Sequence, residues 1–226
     1  MRVIFNEEMK AVADDLDRMA QGVRRAIRGA GRALLETDVE AAQAVIDGDI
    51  ELDALEESVI DQCVRLLAKQ TPVATDLRVV VSTMRLASTF ERMGDLAKHV
   101  AETARRAYPA SALPAETMDV FRDMHEFLDA TADDLVSMLA DRDARTAERI
   151  IAADDRLDAM HQRTFELALD EHIELTRQQM IDVVLMGRFL ERLGDHAVSA
   201  ARRVVFIVSG FDPSKEPSRD EEGMID

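Results

Sequence analysis

Apolar residues recur every three or four positions over six long stretches of the chain, the period of one buried face of an α-helix. The first stretch runs from about Asn6 to Glu36. Thr37-Asp38 then offers an N-cap for a second helix reaching about Gln70. Thr71-Pro72 breaks the pattern, and a third helix is expected from about Ala74 to Ala107. A connector from Tyr108 to Pro114 holds two prolines and reads as the boundary between halves. A fourth helix follows from about Glu116 to Leu139. Asp141-Arg142-Asp143 makes a short turn, and a fifth helix continues to about Glu171. Thr176 starts a sixth, which reaches Ser209 and stops at Gly210. The pattern predicts an all-α fold of two tandem, pseudo-symmetric three-helix bundles, residues 1–107 and 115–209. Residues 210–226 are expected to form a disordered tail, being polar with two prolines.

The halves share more than periodicity. Residues 90–95 read Phe90-Glu91-Arg92-Met93-Gly94-Asp95, and residues 190–195 read Leu190-Glu191-Arg192-Leu193-Gly194-Asp195. Upstream, Asp49-Ile50-Glu51-Leu52-Asp53-Ala54-Leu55 matches Asp154-Asp155-Arg156-Leu157-Asp158-Ala159-Met160. An internal repeat of this kind implies a duplicated architecture. Short connections favour antiparallel neighbours within each half.

Each half therefore carries two acidic pairs at i,i+4. They are Asp49/Asp53 and Glu91/Asp95 in the first half, Asp154/Asp158 and Glu191/Asp195 in the second. Like charges at this spacing repel by a few tenths of a kcal/mol. If the second and third helices of a half are neighbours, its two pairs converge into a four-carboxylate patch. All-oxygen ligation suits magnesium, calcium, manganese or iron rather than zinc. The competing reading is a solvated helix face with local salt bridges, from Lys98 to Asp95 and from Arg188 to Glu191. With Glu91 set at zero, Asp95 falls at about 40° around the helix, while Leu86, Met93, Ala97 and Val100 lie between about 180° and 240°. That wheel places the carboxylates on the outside of the bundle. Gly94 and Gly194 flank the acidic face. A mid-helix glycine costs roughly 1 kcal/mol against alanine, so its recurrence points to close approach by a neighbouring backbone or a bulky ion cluster.

His99, four residues after Asp95, is a candidate nitrogen ligand or a group that orients one. His196 points away from Glu191 and reads as structural. His161 forms an Asp158-x-x-His161 spacing, but its counterpart in the first half is Glu56, so the spacing is not duplicated. Arg92 and Arg192 read as salt-bridge partners to an adjacent helix. The chain has no P-loop, no dinucleotide-binding glycine fingerprint and no nucleophile with a recognisable base.

Composition narrows the classes further. There is no tryptophan, one tyrosine and five prolines, which disfavours an all-β fold. The net charge of -17 disfavours binding to nucleic acid and suits metal ions or basic partner surfaces. The single Cys63 excludes an internal disulfide and fits a reducing compartment. The longest apolar run, Val204 to Val208, is far short of the roughly 20 residues that span a bilayer. A cytoplasmic protein without direct membrane insertion is expected.

Two three-helix repeats, each ending in a helix with Glu-Arg-hydrophobic-Gly-Asp, resemble the PhoU family of phosphate-transport-system regulatory proteins. The resemblance spans about residues 5 to 209. Glu91/Asp95 and Glu191/Asp195 match the family's E/D-x-x-x-D signature, and Asp49/Asp53 and Asp154/Asp158 fit its acidic positions. Where the family commonly reads Gly-Asp-His-Ala-x-Asn, Leu96 replaces the histidine in the first copy, and His99 and Ser199 replace the asparagines. The resemblance implies a non-enzymatic cytoplasmic regulator, expected to be a homodimer, that represses phosphate uptake and the phosphate-starvation response. It implies two partners, the ATPase subunit of the phosphate ABC transporter and a sensor histidine kinase. It also implies divalent or trivalent metal ions, among iron, manganese, magnesium, calcium and zinc, at Asp49, Asp53, Glu91, Asp95, His99, Asp154, Asp158, Glu191 and Asp195. Two other readings stay open: a carboxylate-bridged di-metal helical oxidase, and a metal-free helical scaffold.

Overall fold

The structure, a computed structural model, describes residues 2–210. The expected tail thus falls outside the described residues, except for Gly210. Among the described residues seven α-helices follow one another: α1 (Arg2–Glu36), α2 (Val39–Gln70), α3 (Ala74–Ala107), α4 (Met118–Asp141), α5 (Ala144–Ala152), α6 (Asp154–Leu169) and α7 (Arg177–Ser209). One 3-10 turn, Ala115–Thr117, precedes α4. The chain is all-α, with α1, α2 and α3 packed as one three-helix bundle and α4, α5/α6 and α7 as the second.

Local chemistry sets most of the boundaries. The Asp38 carboxylate accepts the Ala41 N–H and opens α2. Thr176 and Gln179 form a reciprocal capping box at the start of α7. Gly210 closes α7 at φ 79°, a conformation that glycine adopts without a side-chain clash. Arg142, also left-handed at φ 50°, ends α4, and Asp143 caps α5.

The expected fifth helix is not continuous. It breaks at Ala153, whose N–H reaches back to the Ile150 carbonyl in a tightened final turn. Asp154 and Asp155 then occupy the first turn of α6, where the helix dipole favours negative charge. The apolar period runs through the break, so it carried no sign of it.

A leucine knob seats each middle helix on its third helix. A Cβ on Gly94 would lie 2.6 Å from Leu52 Cδ1, and one on Gly194 would lie 2.3 Å from Leu157 Cδ2. Leu52 and Leu157 are matched positions of the repeat, and both are buried. Burying each contributes roughly 1.5–3 kcal/mol. The duplicated glycines are therefore sockets for a leucine side chain, and not for the neighbouring backbone or ion cluster that their recurrence suggested.

The bundles meet along α3 and α7, and along α1 and α4. Helices α3 and α7 run antiparallel: Arg78 Nη2 donates to the Ile207 carbonyl at one end, and Arg106 Nη2 pairs with Asp182 at 2.6 Å at the other. Asp182 is buried, so this ion pair and a bond from Gln178 answer a charge that would be costly alone. Across the second seam, Arg28 pairs with Asp129 at 2.5 Å and Asp133 at 2.7 Å.

Candidate functional site

The Leu52 and Leu157 knobs bring the acidic pairs of each half to a common groove, α2 against α3 and α6 against α7. In the first half, burial raises the Asp53 carboxyl above its ordinary value, and the charges of Asp49 and Asp95 raise it further. Burial, then the charge of Asp95, raises Glu91 to about 7. In the second half, burial raises Asp154, with Asp158 and Asp195 adding to it. Glu191 rises by burial and by the charge of Asp195. Carboxylates from both helices of each half thus act on one another.

The wheel of the third helix placed its carboxylates outside, yet Glu191 of α7 is buried, and so is Asp49 of α2, a helix that the wheel does not cover. Asp49 is only 4% exposed and Glu191 9%. A wheel gives a residue's angle from its own apolar stripe, but not the angle at which a neighbour covers the flank. Here the glycine sockets draw the middle helix close, and it overlaps the edge of the acidic face. Glu91, Asp95 and Asp154 are half-buried, while Asp53, Asp158 and Asp195 remain exposed at the rim.

The basic partners also differ from the expected set. Lys98 crosses from α3 to Asp49 on α2, Nζ to Oδ2 at 2.5 Å, instead of pairing with Asp95 on its own helix. Arg92 stays on α3, 3.0 Å from Asp95 and 3.4 Å from Glu91, and so is not a bridge to an adjacent helix. Arg188 does pair with Glu191, Nη1 reaching both carboxylate oxygens at 2.6 and 2.5 Å. His99 faces the bundle seam: Nδ1 lies 3.3 Å from Glu102, and its ring tilts against Phe189 of α7 with centroids 5.4 Å apart.

Two residues given little weight in the sequence belong to these clusters. Glu56 adds charge beside Asp53 and Glu91, and it accepts a hydrogen bond from Ser88 at 2.6 Å. His161, at the matched position, is influenced by Asp158, Asp195 and Arg188, and burial holds its imidazole below the ordinary range. Their signal was positional. Each stands three residues after the second aspartate, on the same helix face.

A hard cation suits this chemistry. Asp49 Oδ1 is buried with no hydrogen-bond partner among the described residues, and so is His161 Nε2. An unmet buried acceptor of this kind costs about 1–3 kcal/mol, more when charged. Among the described residues, no three carboxylate, imidazole or thiol groups are already disposed to hold an ion. Ligation would require some carboxylates to exchange Lys98, Arg92 or Arg188 for the ion.

The PhoU domain family model matches residues 16–104 and 121–204. The chain is 34% identical over 216 residues to "Phosphate-specific transport system accessory protein PhoU homolog 1" of Mycobacterium tuberculosis (strain ATCC 25618 / H37Rv), covering 96% of this chain and 98% of that one. It is 33% identical over 212 residues to the "Phosphate-specific transport system accessory protein PhoU homolog" of Deinococcus radiodurans, covering 93% and 99%. The crystal structure of PhoU from Pseudomonas aeruginosa is similar with a TM-score of 0.85 at 26% identity, covering 92% of this chain and 100% of that one. The structure of the phosphate transport system regulatory protein PhoU from Streptococcus pneumoniae has a TM-score of 0.81 at 23% identity, covering 92% and 98%, a likeness of fold.

Proposed function

The chain belongs to the PhoU family, and on that premise we propose that it is a non-catalytic negative regulator of phosphate uptake and of the phosphate-starvation response. Its working partners in this reading are the ATPase subunit of a phosphate ABC transporter and a sensor histidine kinase. It works in the cytoplasm as a homodimer; among the described residues, no helix is long and apolar enough to cross a membrane.

The observation that carries the binding side of the proposal is the pair of four-carboxylate grooves. Asp49, Asp53, Glu91 and Asp95 would hold cations in the first half, and Asp154, Asp158, Glu191 and Asp195 in the second. His161 is better placed to join the second set than His99 is to join the first, since His99 is engaged with Glu102 and Phe189. A bound cation would supply charge neutralisation and a cross-link between two helices. The chain's own residues do the rest. The leucine knobs fix the helix spacing, and Lys98, Arg92 and Arg188 hold the carboxylates in its absence. With net charge -17, the rims of the grooves are suited to basic partner surfaces.

The test compares phosphate uptake in phosphate-replete cells carrying wild type, a deletion, or a folded variant with Glu91, Asp95, Glu191 and Asp195 neutralised. Derepression in the deletion strain is expected, with a similar phenotype in the variant. Normal repression in the deletion strain, with no second gene of the family present, would remove the regulatory assignment. Normal repression in the variant alone would move the working surface away from the grooves.

A further inference from the structure

A sizeable cleft of the described structure lies away from the acidic rims. It lies between α1 and α2, encloses about 620 Å³, and is lined along one wall by Arg18, Arg25, Arg28 and Arg32. A volume of this order is that of a small-molecule site. Its floor is apolar, formed by Val45, Leu52 and Leu55. Gly48 opens into it, since a Cβ there would meet nothing within 4 Å. The ring of His125, from α4, closes one end against α1 at Gly31.

Charge makes this cleft unusual on a chain of net -17. Arg18, Arg25 and Arg32 repeat every seven residues, so they stand on one face of α1 at intervals of about 10.5 Å. Three carboxylates also line the cleft, namely Asp49, Glu51 and Asp129. Two are already neutralised, Asp49 by Lys98 and Asp129 by Arg28. The other guanidinium groups are loosely held. Arg25 is 3.8 Å from Glu51, Arg18 is 3.6 Å from Glu51, and Arg32 is 3.7 Å from Asp38. These contacts exceed hydrogen-bond length, and each of the three arginines is more than half exposed. Among the described residues, Arg18 alone of the three has a closer partner, Asp15 at 3.1 Å. Arginine is the side chain best suited to bidentate contact with phosphate oxygens.

We infer that the α1–α2 cleft is a binding site for a nucleoside di- or triphosphate. The arginine wall takes the phosphates, and the apolar floor with the His125 ring takes the base and sugar. A lone phosphate would leave the floor and most of the volume unused. A purely apolar ligand would leave the arginine wall without an anionic partner. The cleft also touches Asp49 and Gly94, the inner edge of the first acidic groove. An occupant of the cleft therefore lies against the helix pair that holds those carboxylates. The site uses no cation and stands independently of the regulatory proposal.

Isothermal titration of the intact, chelator-treated chain with ADP, adenosine and inorganic triphosphate tests it. Saturable binding of ADP is expected, with triphosphate weaker and adenosine undetected. The Arg25→Ala, Arg32→Ala double variant should bind ADP at least about tenfold more weakly, as expected for losing charge-assisted hydrogen bonds. Gly48→Phe fills the cleft without changing its charge and faces open space, so it should fold and abolish binding. A melting curve confirms the fold of each variant. No saturable binding at millimolar ADP overturns the inference. So does triphosphate binding as tight as ADP, which would make the wall a general anion surface. Undiminished binding in a folded Gly48→Phe chain would place the ligand elsewhere and overturn it equally.

Discussion

Replacing Glu91 with glutamine should stabilise the metal-free chain and weaken its hold on metal. Glu91 is held at about 7 because burial and the charge of Asp95 oppose its ionisation, although Arg92 lies 3.4 Å away. In the unfolded chain the same carboxyl titrates near its ordinary 4.5. The folded state therefore binds this proton more tightly than the unfolded state does. The stability it contributes is fully present below about 4.5 and is lost as pH rises through about 7. The shift corresponds to about 3 kcal/mol between the two charge states. Water at the rim of the groove screens part of this, leaving about 1.5–3 kcal/mol. Glutamine keeps the shape and cannot ionise. Urea denaturation in the presence of chelator should show wild type and E91Q equal near pH 4, diverging through pH 5 to 7, and separated by about 1.5–3 kcal/mol above that range. For a chain of this length, that is a rise in Tm of roughly 3–12 °C at pH 8. Excess manganese should then narrow the gap, because it stabilises the wild type by mass action more than the variant. Equal stabilities at pH 8 under chelation would refute the claim that ionised Glu91 is strained. A gap unchanged by manganese would remove Glu91 from the ligand set.

Three further tests address the rest of the site. Lys98→Met should cost the chelated chain about 2–3 kcal/mol, since Asp49 loses its counter-ion, and should tighten metal binding by freeing Oδ2; calorimetry with manganese that shows weaker or unchanged binding would exclude Asp49 as a ligand. Glu91→Ala with Asp95→Ala should remove the ions of one groove and leave the other loaded, as measured by elemental analysis of purified protein; unchanged metal content would favour the salt-bridge reading. Gly194→Ala should destabilise by about 1–2 kcal/mol despite the better helix former, because its Cβ collides with Leu157, whereas Gly48→Ala, in open space, should stabilise by about 0.5–1 kcal/mol. Equal effects of the two alanines in thermal melts would undo the socket argument.

Much of this molecule was readable from local chemistry. Asp38, Asp143, Thr176 and Gly210 act on backbone groups within a few residues of themselves, so the helix ends they mark could be placed without tertiary information. The break at Ala153 could not. It interrupts no apolar period and involves no proline or glycine, and only the restart at Asp154 betrays it. The duplicated Glu-Arg-x-Gly-Asp segments pointed to the grooves, and the pairing of α2 with α3 and α6 with α7 brought the expected carboxylates together. Lys98 shows where this kind of reading stops. Its helical spacing from Asp95 was satisfactory, yet its partner is Asp49, 49 residues away in sequence.

By itself, the sequence determined the helices apart from the break at Ala153, the two-fold repeat and the identity of the acidic positions, because each follows from periodicity or from contacts within one helical turn. Only the tertiary structure decided which of the eight carboxylates are buried. That depends on how closely a second helix approaches, and Leu52 against Gly94 and Leu157 against Gly194 set the distance. Tertiary structure likewise decided that the arginines of α1 line a cleft. On the helix alone they form an ordinary charged stripe; α2, with its glycine at position 48, turns that stripe into a wall with an apolar floor. Burial and charge environment are properties of two surfaces meeting, and one strand of periodic pattern describes a single surface.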